Sequence, residues 1–403
     1  MKSALLTFVV ASALVGQPAP FEELRVEAGR VKALNSRDPE TGETGRALDV
    51  LHIRLRDWIE SRLRTVETPQ PGPLKSLEAS LDAELNEARL ALPEHPPDIN
   101  DGPGGSGMGY AGVKFKWLPE FPDALFVIAS ASMDCGSDEA VYMYLFRAGH
   151  WQRTFTDHPG KDFGYTGVTL KVSEPDAQSR RLLLVHYYSV QCASTWMGMS
   201  YSIFRVNARG DTRQLLSDRH GFWLGNDGPE FVVSPHEVIV EFLDSSVDVE
   251  IHNRTHIHRY NFAQGTRRLE PIALQPQDFV EEWLTRPWDE VKSWSAAGLK
   301  ELHGQLHSDY IGARYLGVVP CGAKAGNWLV ELSVTRVGER EFSDPLETYF
   351  LVRDLGNYRY RMEAVPFETP PECEGTGLVS DGVPASNKHP WLSTDQLGSL
   401  LGH

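Results

Sequence analysis

The chain of 403 residues carries 39 Lys and Arg against 55 Asp and Glu, a formal net charge of -16. With no long basic run, a surface of that sign repels phosphate backbones and excludes nucleic acid as a partner. Apolar residues at 41% and aromatics at 10% supply ample core material, which excludes global disorder.

In chain order, the opening residues MKSALLTFVVASALVGQPAP place one Lys before an apolar run, Ala4 to Val15, followed by small residues and proline. That layout predicts a secretory signal over residues 1–19, cleaved after Ala11-Ser12-Ala13 or near Gln17 to Ala19. The run is shorter than the roughly 20 residues a spanning helix needs, and no other stretch approaches that length, so no integral membrane span is expected. Secretion or a periplasmic location follows as the expectation. The four cysteines, Cys135, Cys192, Cys321 and Cys373, fit an oxidising compartment. Of the three possible pairings, Cys135 with Cys192 and Cys321 with Cys373 join neighbouring segments; four buried thiols are the alternative.

Residues 21–92 read as helical. RALDVLHIRLRDWIESRLRTV repeats Leu48, Leu51, Ile53, Leu55, Ile59 and Leu63 at helical spacing, and LKSLEASLDAELNEARLAL repeats Leu74, Leu77, Leu81 and Leu85. The intervening ETPQPGP breaks the first segment, so a helical hairpin is expected. Residues 93–112 are rich in Gly and Pro and read as a linker. No Lys-Ser/Thr pair follows its glycines, so it is not a phosphate loop.

From Val113 to Leu274 the apolar period changes to two. Runs at 125–133, 140–146 and 150–155, then 168–172, 182–190, 199–206 and 212–216, then 230–234, 237–243, 255–262 and 266–272, predict three antiparallel units of up to four strands. Within them RVNARGDTRQL (Arg205 to Leu215) returns 54 residues later as RYNFAQGTRRL (Arg259 to Leu269), with five of eleven positions identical. FRAGHWQRTF at Phe146 to Phe155 and LVRDLGNYRYRM at Leu351 to Met362 echo the same strand-turn-strand grammar. Meander spacing and a repeated Arg hairpin resemble the blades of a β-propeller; a stack of ordinary meanders or a sandwich stays open beside it.

Beyond Gln275, Phe279, Trp283, Trp288, Val291, Trp294, Leu299, Leu302 and Leu306 predict two or three short helices, with Pro287 starting one. Strands follow at 314–320, 328–337, 346–353 and 358–365. Helices leading into such a sheet over 276–367 resemble a nuclear-transport-factor-like cone domain, which implies a pocket on the concave face. The tail, 368–403, reads as loosely ordered. The fold class is therefore mainly β with helical flanks, α+β overall.

Three constellations carry candidate chemistry. In IHNRTHIHRY, His256 and His258 share one face of a strand, about 7 Å apart, a spacing that suits a metal; a pair of exposed histidines at a sheet edge is the plainer reading, and His252 lies nearby. Asp134, Asp138 and Glu139 crowd the turn at Cys135, where paired carboxylates could divide acid and base roles or sit as a solvated acidic hairpin. Arg147, Arg205, Arg259 and Arg353 recur at like positions, either to recognise carboxylates or to hold turns. Trp151, Trp196 and Trp223 are candidates for stacking on sugars or partner side chains.

No nucleophile elbow, zincin helix or SxxK motif is present. The expectation is a non-enzymatic exported scaffold that binds a protein, peptide or glycan, with no cofactor. A hydrolase or lyase with carboxylates or histidines on β-domain loops, or in a cone pocket, is the alternative.

Overall fold

The computed structural model describes residues 19–34, 42–92, 108–133, 136–158, 165–190, 196–223, 228–244, 254–322, 326–336 and 346–373. The segment read as a signal, the Gly/Pro-rich linker up to residue 107, Asp134, Cys135, Cys192, His252 and the tail beyond 373 lie outside them. The chain divides into two compact units, Met1–Trp117 with Pro122–Thr166, and Leu118–Phe121 with Gly167–His403.

In the first unit the helices are α1 (Pro20–Lys32), α2 (Gly42–Leu63) and α3 (Pro71–Glu87). The hairpin expected over 21–92 is therefore a set of three helices, because α1 carries its own apolar positions, Leu24, Ala28 and Val31, all buried. Proline opens α1 and α3 at their first turn, where its missing N–H has no helical partner to lose. The stripes Leu48, Leu51, Leu55, Ile59 and Leu63 of α2, and Leu74, Leu81 and Leu85 of α3, share one core with alternate residues of a sheet. Ile53, counted on that stripe by spacing, faces solvent instead.

The sheet of this unit is a meander of β1 (Ala111–Lys116), β2 (Ala124–Met133), β3 (Gly136–Arg147) and β4 (His150–Asp157), all antiparallel. Leu125, Val127, Ala129 and Ala131, with Ala140, Tyr142 and Tyr144, line the helix side. Phe126, Ile128, Val141 and Met143 are buried on the other face, which explains the near-continuous apolar runs. Ala148 and Gly149 both take positive φ, the two-residue turn whose twist matches a hairpin.

Strand β5 (Tyr165–Val172) crosses the division point, and from Gly167 onward the chain belongs to the second unit. There β6 (Arg181–Val190), β7 (Trp196–Val206) and β8 (Thr212–Trp223) continue the order β5-β6-β7-β8. The next sheet has the order β12-β11-β10-β9, formed by β9 (Glu230–Val233), β10 (Glu237–Asp244), β11 (Arg254–Asn261) and β12 (Arg267–Arg268). Leu182, Leu184, Tyr201 and Ile203 pack with Val238, Val240, Phe242 and Tyr260 in one core. Then come α4 (Pro276–Thr285), α5 (Trp288–Val291), a 3₁₀ turn at Lys292–Trp294 and α6 (Lys300–Asp309). They cover the sheet of β13 (Tyr310–Pro320), β14 (Asn327–Arg336), β15 (Leu346–Gly356) and β16 (Arg359–Ala364), with Phe279, Trp283 and Leu284 against Val330, Phe350 and Met362.

The fold is thus mainly β with helical flanks. Each arginine hairpin falls on the turn between the third and fourth strand of a four-stranded run: β3 to β4, β7 to β8, β11 to β12 and β15 to β16. Cys321 and Cys373 form a disulfide that closes a separation of 52 residues. No helix among the described residues is long and apolar enough to cross a membrane.

Candidate functional site

Strand β11 puts Arg254, His256, His258 and Tyr260 on alternate positions, so their side chains share a face. The reading of His256 and His258 as exposed edge residues is wrong. β11 lies between β10 and β12, and both histidines are buried. The His256 ring stacks on Phe242 at 5.0 Å with planes 8° apart, and His258 meets the same ring edge-on at 5.2 Å.

What both imidazoles face is Glu282, presented by α4. Its Oε1 lies 3.2 Å from His256 Nδ1, 3.2 Å from Arg254 Nη2 and 3.6 Å from His258 Nε2, while Oε2 takes Arg286 Nη2 at 2.5 Å. Arg254 also pairs through Nε with Glu281. Helix α4 delivers these carboxylates because Pro276 opens it and Asp278 accepts the backbone N–H of Gln275 at 3.1 Å, fixing its first turn.

The charges compensate locally. Burial alone would neutralise Glu282, but the Arg286 and Arg254 guanidiniums and the histidine contacts hold its carboxyl well below the usual range. Burial pushes His256 down to about 4, with Arg254 adding to the effect, and His258 down to about 3. Both rings are therefore neutral at pH 7. Burial raises Glu281 to about 7 and Asp278 to about 6 against the pull of Arg254.

The set continues outward. Asp218 Oδ2 on β8 accepts from Arg268 Nη2 at 2.8 Å and Tyr260 Oη at 3.0 Å, and stands 3.2 Å from His220 Nε2. The Tyr201 and Tyr260 hydroxyls are 2.8 Å apart, and the His220 ring lies 5.0 Å from that of His258. Arg268 Nη1 and Arg286 Nη1 come within 3.8 and 3.9 Å of Glu290 Oε2 on α5. Despite burial, hydrogen bonding and charge from His220, with the charge of Arg268, keep Asp218 far below the ordinary carboxylate range. Burial pushes Tyr260 up to about 12 and Tyr201 well above its ordinary value. Tyr201 and Tyr260 are fully buried, whereas the side chains of Asp218, His220, Arg268 and Glu290 remain 20–30% exposed. Those four form the open lip of an otherwise buried polar constellation.

The other candidates fall elsewhere. Arg205 donates to the carbonyl of Phe262, in the next arginine hairpin, and Arg259 donates to Glu237 Oε1 at 3.0 Å, so both hold strands and turns. Arg147 and Arg353 sit beside their hairpin turns, opposite His150 and Arg361 in register. Trp151 is buried against Phe146 in the first core rather than offered to a partner. Trp196 and Trp223 stand opposite each other in the register of β7 and β8. Asp138 and Glu139 are buried on β3, not part of a solvated acidic turn.

The structure therefore joins His256 and His258 to Glu282, Asp218, His220, Tyr201, Tyr260 and Arg268, none of which the sequence reading singled out. The pair Asp218 and His220, two apart on a strand and so on one face, was the available signal.

No family model and no curated protein matches the chain. Among solved structures, it is similar to the N-terminal domain of Nup159, at 10% identity and a TM-score of 0.20 over 64% of this chain and 48% of that one. A Bombyx mori GH32 β-fructofuranosidase in complex with sucrose aligns at 10% identity and a TM-score of 0.21, over 67% of this chain and 63% of that one. The chain thus spans about half of the first of these proteins and under two thirds of the second.

Proposed function

We propose that the protein is an exported binding protein whose ligand site is the lip formed by Asp218, His220, Arg268 and Glu290. The observation that carries this reading is the convergence of side chains of both charge signs, from β8, β12 and α5, on one partly exposed spot above a buried set of ion pairs. Such backing holds the lip rigid, and preorganised polar groups bind with little ordering cost. Among the described residues Arg268 Nη1 makes only a long contact to Glu290, so it is the place for a ligand anion, with His220 beside it as donor or acceptor. A peptide carboxylate or a uronic acid has that chemistry. The Cys321–Cys373 disulfide supports export.

The test is isothermal titration of the full chain with short peptides and hexuronic acids. Binding that is lost in His220→Asn while the melting temperature holds supports the reading. No binding by any of these probes, or binding indifferent to His220→Asn, contradicts it.

One observation favours a second reading, acid–base catalysis in a hydrolase or lyase. His220 is backed by an ionised carboxylate, with a phenol 3.5 Å from its Nε2. Turnover of a bound peptide or glycan that vanishes in His220→Asn would establish it.

A further inference from the structure

The first unit holds a second place where two histidines meet one carboxylate, built from three elements distant in sequence. His52 comes from α2, Asp138 from β3, and His158 directly follows β4. Asp138 uses both oxygens: Oδ2 is 3.2 Å from His52 Nε2 and Oδ1 is 2.8 Å from His158 Nε2. One nitrogen from each imidazole and one carboxylate oxygen lie within 4.8 Å of one another. The imidazole rings are 5.0 Å apart and tilted by 54°, so they converge on the carboxylate instead of stacking over it.

Two features point to a ligand rather than a structural knot. First, the spacing matches coordination: donor atoms on adjacent corners about 2.1 Å from a metal are about 3.0 Å apart at a right angle and about 3.4 Å apart in a tetrahedron. Second, the nearby charge is negative. Asp49 and Asp157 act on His158 along with Asp138, and the groups that bond to Asp138 are the two imidazoles, not guanidiniums. His52 Nδ1 is buried and has no hydrogen-bond partner among the described residues, so the protein's hold on this ring runs through its Nε2. The His52 and Asp138 side chains are only 6% and 10% exposed, whereas that of His158 is 25% exposed, so His158 is the most solvent-accessible of the three.

We propose that His52, Asp138 and His158 bind one divalent transition-metal ion of the zinc, cobalt or nickel type, through the two Nε2 atoms and the carboxylate. Two imidazoles and one carboxylate suit such ions better than magnesium or calcium, which prefer oxygen. To hydrogen-bond Asp138, each imidazole carries a proton on Nε2; the ion takes the Nε2 lone pair in its place, and the displaced proton moves to Nδ1 of a neutral ring or passes to solvent from a protonated one. The remaining coordination positions go to water on the His158 side. The ion ties α2 to β3 and to the end of β4, so its readout includes the stability of the fold. This site is independent of the lip in the second unit.

The experiment uses untagged full-length protein stripped with a chelator, titrated with Zn²⁺ by calorimetry and with Co²⁺ by visible absorption. One ion per chain, a rise in melting temperature on binding, and affinity at least about 30-fold weaker in His158→Gln are expected, since even outer-sphere partners of a ligand change affinity 10–100-fold. His256→Gln should bind as the unaltered chain does. His158 is the partly exposed ligand, so this variant carries the test even if His52→Gln fails to fold. No saturable binding of either ion by the unaltered chain overturns the proposal. So does affinity unchanged in His158→Gln, or affinity lost in His256→Gln alone.

Discussion

The carboxylates Asp138 in the first unit and Glu282 in the second each stand between two histidines, yet their surroundings make them different objects. Glu282 also receives Arg254 and Arg286, so its charge is neutralised by permanent cations and its neighbours His256 and His258 stay neutral. Among the described residues only imidazoles bond the Asp138 oxygens; burial works against its charge, and the hydrogen bonds from His158 and His52 keep it below the usual carboxylate range. Proximity of His, His and a carboxylate therefore does not define a metal centre. A divalent cation entering at Glu282 would meet two guanidiniums, whereas at Asp138 it meets two imidazoles whose Nε2 can exchange its proton for the ion.

The largest effect that sharpens this contrast is expected at Glu282. Removing it in Glu282→Ala takes the close carboxylate from the buried Arg286 and leaves Arg254 paired with Glu281, at a cost of about 3–5 kcal/mol, read from urea unfolding. A cost below about 1 kcal/mol would mean that the ion pairs are not what holds α4 to β11. Asp138→Ala should cost less in metal-free protein at pH 7, about 1–3 kcal/mol, because it leaves behind imidazoles that lose hydrogen bonds and no guanidinium. Equal costs at the two sites would break the comparison.

Next comes pH. His258 has a folded-state value of about 3, against about 6.5 in an unfolded chain, so between those values the unfolded state binds the extra proton. Its contribution is complete above pH 6.5 and is lost as pH falls towards 3. His258→Gln should therefore flatten the acid-side loss of stability by about 1.4 kcal/mol per pH unit between pH 6 and 4. Parallel curves for the two proteins would show that His258 is already charged in the fold. The smallest effect is at Arg259. It holds Glu237 in a largely buried pair, and because Gln still offers that carboxylate an amide donor, Arg259→Gln should cost about 1 kcal/mol by the same unfolding measurement, with ligand and metal binding unchanged.

Legibility in the sequence followed distance along the chain. Strand and turn patterns are local, so the meander, the break at ETPQPGP and all four arginine hairpins were readable from period and turn residues. The two histidines of β11 were visible for the same reason, two apart on one strand. Their burial was not, because it depends on β12 and α4, which arrive later in the chain. Glu282 is 26 residues from His256, and His52 is 86 from Asp138; no spacing rule links a helix residue to a strand residue across such loops. The acidic turn misled for a physical reason. Asp138 and Glu139 read as solvated because carboxylates rarely bury, and only the partners His52, His158, Ser130 and Ser137 make burial tolerable. Of the hairpin arginines, Arg205 is engaged on the Phe262 carbonyl and Arg259 on Glu237, so these two hold a turn and a strand.

The most direct test of the contrast between the two clusters is anomalous scattering at the zinc edge from crystals of the full chain soaked in Zn²⁺. The account predicts a peak bounded by His52, Asp138 and His158, and no density at Glu282. A peak between His256, His258 and Glu282, with none at Asp138, would contradict it.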